Sequence, residues 1–170
     1  AGEAKDLSGL RDLAGLRLPP RVHAVIAGRL AQLSPAAHEL AGLAATIGRA
    51  FTVEVLAKAS GVDEDSLTRG LDELWQRHIL AEAAASEYDF SHPRIREVTY
   101  RQLSPMRRRH LHHRAAQALE AVSGEQVDAV SGQIASHYEL AGDAEQAIHA
   151  YQRGAGEVGA CHVAAAEVRA

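Results

Sequence analysis

Two stretches of this chain gather side chains able to bind charge. The first is Asp89-Phe90-Ser91-His92-Pro93-Arg94-Ile95-Arg96-Glu97-Val98-Thr99-Tyr100. Proline suits the first turn of a helix, where its missing N–H costs nothing, so His92 stands at or just before a helix N-terminus. Unpaired backbone N–H groups and the positive end of the helix dipole converge there, which favours a bound anion; a nearby phosphate would in turn favour the charged imidazole. The plain reading of the same residue is a histidine that caps its own helix. Arg96 lies one turn further on and can face the same site, or can pair with Glu97 or a neighbouring acid. The second stretch is Arg107-Arg108-Arg109-His110-Leu111-His112-His113-Arg114, with no acid in it. On a helix Leu111 and Ala115 must point inward, Arg107 and Arg114 then share one side, and His110 pairs with His113. Arg107, Arg108, Arg109 and Arg114 are therefore candidates for contact with nucleic acid or a partner. Their plain reading is a solvated basic face, or one that meets acids of a neighbouring module. Histidines at i,i+3 arise readily by chance, and no metal site is predicted from His110 and His113.

Other chemistry has little support. Gly42-Leu43-Ala44-Ala45-Thr46-Ile47-Gly48-Arg49 imitates a P-loop, but its spacing is one residue too long, it lacks the lysine, and it falls within a helical pattern. No apolar strand ends in an acidic pair that would hold magnesium, and no serine sits in a nucleophile elbow. The segment itself is expected to be non-enzymatic and to carry no cofactor of its own.

The whole chain narrows the choice of frame. It has 170 residues, 46% of them apolar, with one Trp, four Tyr and two Phe. Much of the apolar content is alanine, which suits closely packed helices better than a β-sandwich. Net charge is −4 with histidine neutral, so no overall positive field recruits nucleic acid or an acidic membrane. The single cysteine, Cys161, excludes an internal disulfide and implies a reducing, cytoplasmic setting. No run of about 18 apolar residues and no export signal is visible.

Residues 1–18 read as a linker or the end of a preceding module. After Pro19-Pro20, the residues Val22, Val25, Ile26, Leu30 and Leu33 recur at helical spacing. Ser34-Pro35 caps a second helix that reaches Gly48. Phe51 to Ala59 reads as a short helix, Gly61 as its left-handed stop, and Asp63-Glu64-Asp65 as the acidic start of a helix containing Leu67, Leu71, Leu74 and Trp75. Short strands at 79–82 and 88–90, joined near Ala85-Ser86, follow. A helix-turn-helix with two such strands reads as a winged helix, assigned to residues 19–103. The helix expected to read DNA carries five acids (Asp63, Glu64, Asp65, Asp72, Glu73) against Arg69 and Arg77. DNA phosphates would repel it, so packing against protein is the expected use. Ser104-Pro105 opens the next helix, which ends near Ser123-Gly124. Ala135 to Asp143, with Ala147, Tyr151 and Gly154, then resembles one tetratricopeptide unit within a helical repeat domain assigned to 104–170. One unit cannot bury its own face, so the chain is expected to belong to a longer protein.

Taken together, Pro19-Pro20-Arg21-Val22, Leu30-Ala31-Gln32-Leu33-Ser34-Pro35, Gly48-Arg49-Ala50-Phe51, Leu71-Asp72-Glu73-Leu74 and the string around Phe90, His92, Ile95, Arg96, Glu97 and Tyr100 resemble the bacterial STAND-class signal-transduction ATPases. The likeness covers about residues 19–160, the part that follows the nucleotide-binding core in LuxR-type transcriptional activators and adenylate-cyclase-linked regulators. It implies a winged helix packed on an upstream ATPase domain, with His92, and Arg96 beside it, approaching the phosphate of ADP or ATP held mainly by that domain. It also implies helical repeats that receive an inducer or protein partner. The alternative is a freestanding winged-helix regulator that binds DNA through its wing and Arg107 to Arg109.

Overall fold

The computed structural model describes residues 20–84 and 86–154. The expectations placed on residues 1–18 and on Cys161 lie outside them. The chain is mainly helical, with a small three-stranded antiparallel sheet.

Helix α1 (Pro20–Ala31) buries Ile26 and Leu30. Val22 and Val25 are 43% and 63% exposed, contrary to the apolar face expected of them. The buried positions all lie in the later turns, so the first turn runs past the body of the molecule. Helix α2 (Pro35–Ile47) is the central element: Leu40 through Ile47 are all buried, and Thr46 satisfies its hydroxyl on the Gly42 carbonyl at 2.9 Å. Ser34 caps it by accepting from Ala37 N, and also donates its own N–H and hydroxyl to Glu73 at 2.9 and 2.5 Å. Those two bonds, the hydroxyl's first, hold the Glu73 carboxyl below the usual carboxylate range.

Phe51–Thr52 forms strand β1 rather than the start of a helix. The Thr52 hydroxyl accepts from Val55 N, which fixes the start of α3 (Val53–Ser60) after Thr52 and leaves Phe51 free to pair in the sheet. Gly61 ends α3 at φ 63°, as its residue type predicts, and Asp63 caps α4 (Glu64–Gln76). Leu67, Gly70 and Leu74 are the buried face of α4, which packs on α2. A Cβ on Gly70 would lie 2.3 Å from Leu40 Cδ1, so glycine sets this close crossing. Trp75, in the same helix, is 60% exposed, since the buried face is centred one position away, on Leu74.

Strands β2 (Leu80–Ala84) and β3 (Glu87–Phe90) complete the sheet in the order β1-β3-β2. The cross-strand pair Leu80 and Phe90 is buried and anchors the hairpin, while Phe51 pairs with Tyr88 on the other side of β3. Helix α5 (Pro93–Gln102) follows β3, and α6 (Pro105–Ser123), capped by Ser104, packs across α2 and α3.

A 3₁₀ stretch, Gly124–Val130, was not foreseen; it leads into α7 (Ser131–Ala141), which packs along α6. Gly142 turns the chain at φ 86° into helical residues 144–154. Ala147 and Ala150 are buried there, whereas Tyr151 is 45% exposed. Tyr138 is buried and donates to Glu120, which also receives Arg153 at 2.6 Å. Burial, and then that bond to Glu120, push the Tyr138 hydroxyl pKa up. The hydrophobic core runs without a break from Ile26 to Ala150, so the sequence-assigned boundary at 103/104 is bridged by packed side chains.

Candidate functional site

The corner between β3 and α5 is built by short-range bonds. Ser91 N donates to the Ile79 carbonyl at 3.0 Å, and Ser91 Oγ donates to the His78 carbonyl at 2.5 Å. His78 itself sits at φ 52° and its carbonyl also receives Arg29 at 3.0 Å. Phe90 is buried beneath and fixes the approach of the strand. The chain then turns at His92 (φ −152°, ψ 137°), and Pro93 opens the helix.

His92 is exposed and is the N-cap of α5: its Nδ1 accepts from Arg94 N at 3.1 Å. That bond requires an unprotonated Nδ1, so a neutral His92 carries its proton on Nε2. Nε2 has no hydrogen-bond partner among the described residues and is a donor open to solvent. Arg96 is half-buried and turns the other way, donating Nε to the Ala45 carbonyl at 3.1 Å. Glu97 is not its partner; Arg94 and Arg101 hold that carboxylate at 2.9 and 2.8 Å. Arg96 lines a cleft of about 370 Å³ with Thr46, Pro93, Glu97, Tyr100, Arg101, His112 and Leu140. His92 is not among the residues lining that cleft.

The basic stretch of α6 is divided among several tasks. Arg107 pairs with Glu39 of α2 at 3.0 Å, and Arg114 donates to the Ser60 carbonyl at the end of α3. Both line one cavity of about 90 Å³, as their shared helix side predicts. Arg108 donates to the carbonyls of Tyr100 (3.2 Å) and Arg101 (3.0 Å), and its guanidinium lies 4.7 Å from the centre of the Tyr100 ring. Arg109 is exposed and has no side-chain hydrogen bond or ion pair among the described residues. His113 approaches Asp143 at 3.8 Å. Among the described residues, no three His, Cys, Asp or Glu side chains are grouped to hold a metal ion.

Two histidines that the sequence reading did not single out form a buried polar cluster. His112 is 4% exposed and His137 6%. Their Nδ1 atoms are 2.8 Å apart, and His112 Nε2 lies 2.8 Å from the Tyr100 hydroxyl. Burial, followed by the nearness of His137, Arg108 and Arg96, pushes the His112 pKa down to about 4. Burial lowers His137 as well, with the neighbouring Ile47 backbone opposing it and Arg96 adding to it. The signal for His112 lay in the chain: Ala116 and Leu119, four and seven residues on, are buried on the same face.

No protein-family profile, no curated protein and no solved structure matches the chain.

Proposed function

We propose that this chain is a non-catalytic regulatory segment of a STAND-type ATPase signalling protein or transcriptional regulator. In this reading α2, β1, α3, α4, β2 and β3 form a winged helix that packs on an upstream nucleotide-binding domain. The hairpin from α6 onward begins a tetratricopeptide-like repeat that receives an inducer or partner, in the cytoplasm. The helix–strand–helix–turn–helix–hairpin order and the β1-β3-β2 sheet support the first assignment. The close approach of Gly154 to Ser131 supports the second, since an added Cβ would meet Ser131 Oγ at 2.1 Å.

The observation that carries the proposal is the β3–α5 corner. His92 is exposed at a helix N-terminus, committed to its own backbone through Nδ1 alone, and offers Nε2 outward. An ADP phosphate delivered by the neighbouring domain would meet an imidazole donor and the helix dipole together. Arg96 is redirected in this reading. Its Nε holds the end of α2, and only its terminal N–H groups are left for a phosphate.

In the intact protein, His92→Ala should release ADP about tenfold faster, the loss of one hydrogen bond to a charged group, and should raise basal output. An unchanged ADP off-rate removes the assigned role. For the alternative of a DNA-binding regulator, the geometry offers Arg109, while Arg107, Arg108 and Arg114 are engaged internally. The exposed Glu64, Asp65 and Asp72 of α4 oppose it.

A further inference from the structure

The cavity of about 90 Å³ between α2, the α3–α4 turn and α6 holds an unanswered positive charge. Leu40 and Leu43 of α2, Val62 of the turn and Leu111 of α6 supply its apolar wall. Two cations flank that wall. Arg107 and Arg114 stand at i and i+7 on α6, two turns or about 10 Å apart along its axis, with Leu111 between them. At one end Arg107 is paired with Glu39 at 3.0 Å, and both side chains reach solvent, at 46% and 67% exposure. At the other end Arg114 is half-buried and donates Nη2 to the Ser60 carbonyl, its one hydrogen bond among the described residues. It forms no ion pair among those residues, and the second hollow that it borders contributes Lys58 rather than an acid.

The remaining nitrogens of Arg114, Nε and Nη1, are not sealed in the core: among the described residues, Arg153 Nε is the buried side-chain nitrogen that lacks a partner. They can take an acceptor from the cavity without breaking the bond to Ser60. The neutral polar groups at the site are already in use. Ser60 Oγ donates to the Ala57 carbonyl at 3.0 Å, and Ser66 Oγ receives Arg69 at 3.1 Å. Charge selects the ligand. With Arg107 answered by Glu39, one positive charge is left in the cavity, which matches a monoanion; a dianion or a second carboxylate would meet Glu39. Size selects it again. An apolar cavity of roughly 150 Å³ takes benzene, so this one holds a body of fewer carbons.

We propose that this cavity binds a small aliphatic monocarboxylate, its oxygens on Arg114 and its tail against Leu40, Leu43 and Leu111. The apolar wall strengthens that ion pair over the same contact at the surface. The lining includes no residue of α7 or of the β3–α5 corner, so the site is separate from the nucleotide reading of His92. An occupant touches α2, the end of α3 and α6 together, and therefore tightens the hold of α6 on the helices before it.

The test titrates the whole chain with butyrate at neutral pH and follows backbone amide shifts. These should gather at 60–66 and 107–114 and saturate with a Kd below about 1 mM, which is within reach of so small a ligand. Butylamine, of the same shape and opposite charge, should produce none, and inorganic phosphate should bind at least about tenfold more weakly. Arg114→Gln should weaken butyrate about tenfold. Ala36→Leu, at an exposed position of the lining, should abolish binding with urea stability unchanged, and it decides the matter if Arg114→Gln fails to fold. Glu39→Gln should tighten butyrate and admit phosphate. No saturable shift by about 10 mM butyrate, equal binding of phosphate and butyrate to the parent, or full affinity in Arg114→Gln or Ala36→Leu overturns the proposal. So does tighter binding of N-acetylvaline, which stands for the end of a peptide chain rather than a free acid.

Discussion

His92 and the His112–His137 pair place the same residue type in opposite settings. At the corner, one ring nitrogen is committed to the helix that follows, and the other faces solvent. In the buried pair, three of the four ring nitrogens have a protein partner: His112 Nε2 has the Tyr100 hydroxyl, and each Nδ1 has the facing imidazole. A histidine with an uncommitted nitrogen can receive a ligand. One with both nitrogens bonded inside fixes the position of its neighbours. The arginines divide in the same way. Arg107, Arg108 and Arg114 tie α6 to α2, α5 and α3, whereas Arg109 alone of the four projects without a partner among the described residues.

The contrast predicts a graded set of effects. His137→Ala should be the most costly, at about 3 kcal/mol or more, because it opens a cavity and leaves the buried His112 Nδ1 unpaired. Urea unfolding at neutral pH measures it, and a loss below about 1 kcal/mol would erase the distinction between buried pair and corner.

The pH dependence comes next. The unfolded His112 ring takes up a proton near 6.5, while the folded ring refuses one until about 4. Between those values the unfolded state binds more protons, so stability is fully present above 6.5 and falls as the pH drops through the window. The shift corresponds to about 3 kcal/mol for this ring. Denaturant midpoints that stay flat between pH 7 and the lower edge of the window would refute the neutral pair.

Ser34→Ala should cost about 1 kcal/mol, from loss of the α2 cap and of the hydroxyl bond to Glu73. The smallest effect belongs to the corner. His92→Ala should cost under about 1 kcal/mol in stability, since a single exposed cap is lost. If it unfolds the chain, the corner is part of the scaffold after all.

What the sequence discloses follows the range of the forces involved. Ser34-Pro35, His92-Pro93 and Ser104-Pro105 all mark real helix starts, because a cap is decided within four residues. Gly61 was legible for the same reason. Strand β1 was not: at two residues it carries no periodicity, and it exists because β3 passes beside it. Nor was the exposure of Val22, Val25 and Trp75, which depends on where the neighbouring helices stop. At the site, the position of His92 was legible and the direction of Arg96 was not, since the Ala45 carbonyl that receives it is 51 residues away. His112 stands on a helical stripe with Ala116 and Leu119, although Leu111 and Ala115 were the residues expected to point inward. Its pairing with His137 is a tertiary event, and the lone histidine at the core face of α7 gave no sign of a partner.

The measurement that bears most directly on the proposed role of His92 is the ADP dissociation rate of the intact protein carrying His92→Asp. Aspartate caps a helix at least as well as histidine, so the fold of the corner should be kept, with urea stability equal to or slightly above that of the parent. A carboxylate facing the nucleotide would repel its phosphate. ADP should therefore leave faster than from His92→Ala, and by more than the tenfold expected of that variant. ADP leaving His92→Asp at the parental rate would contradict the account and return His92 to a capping residue.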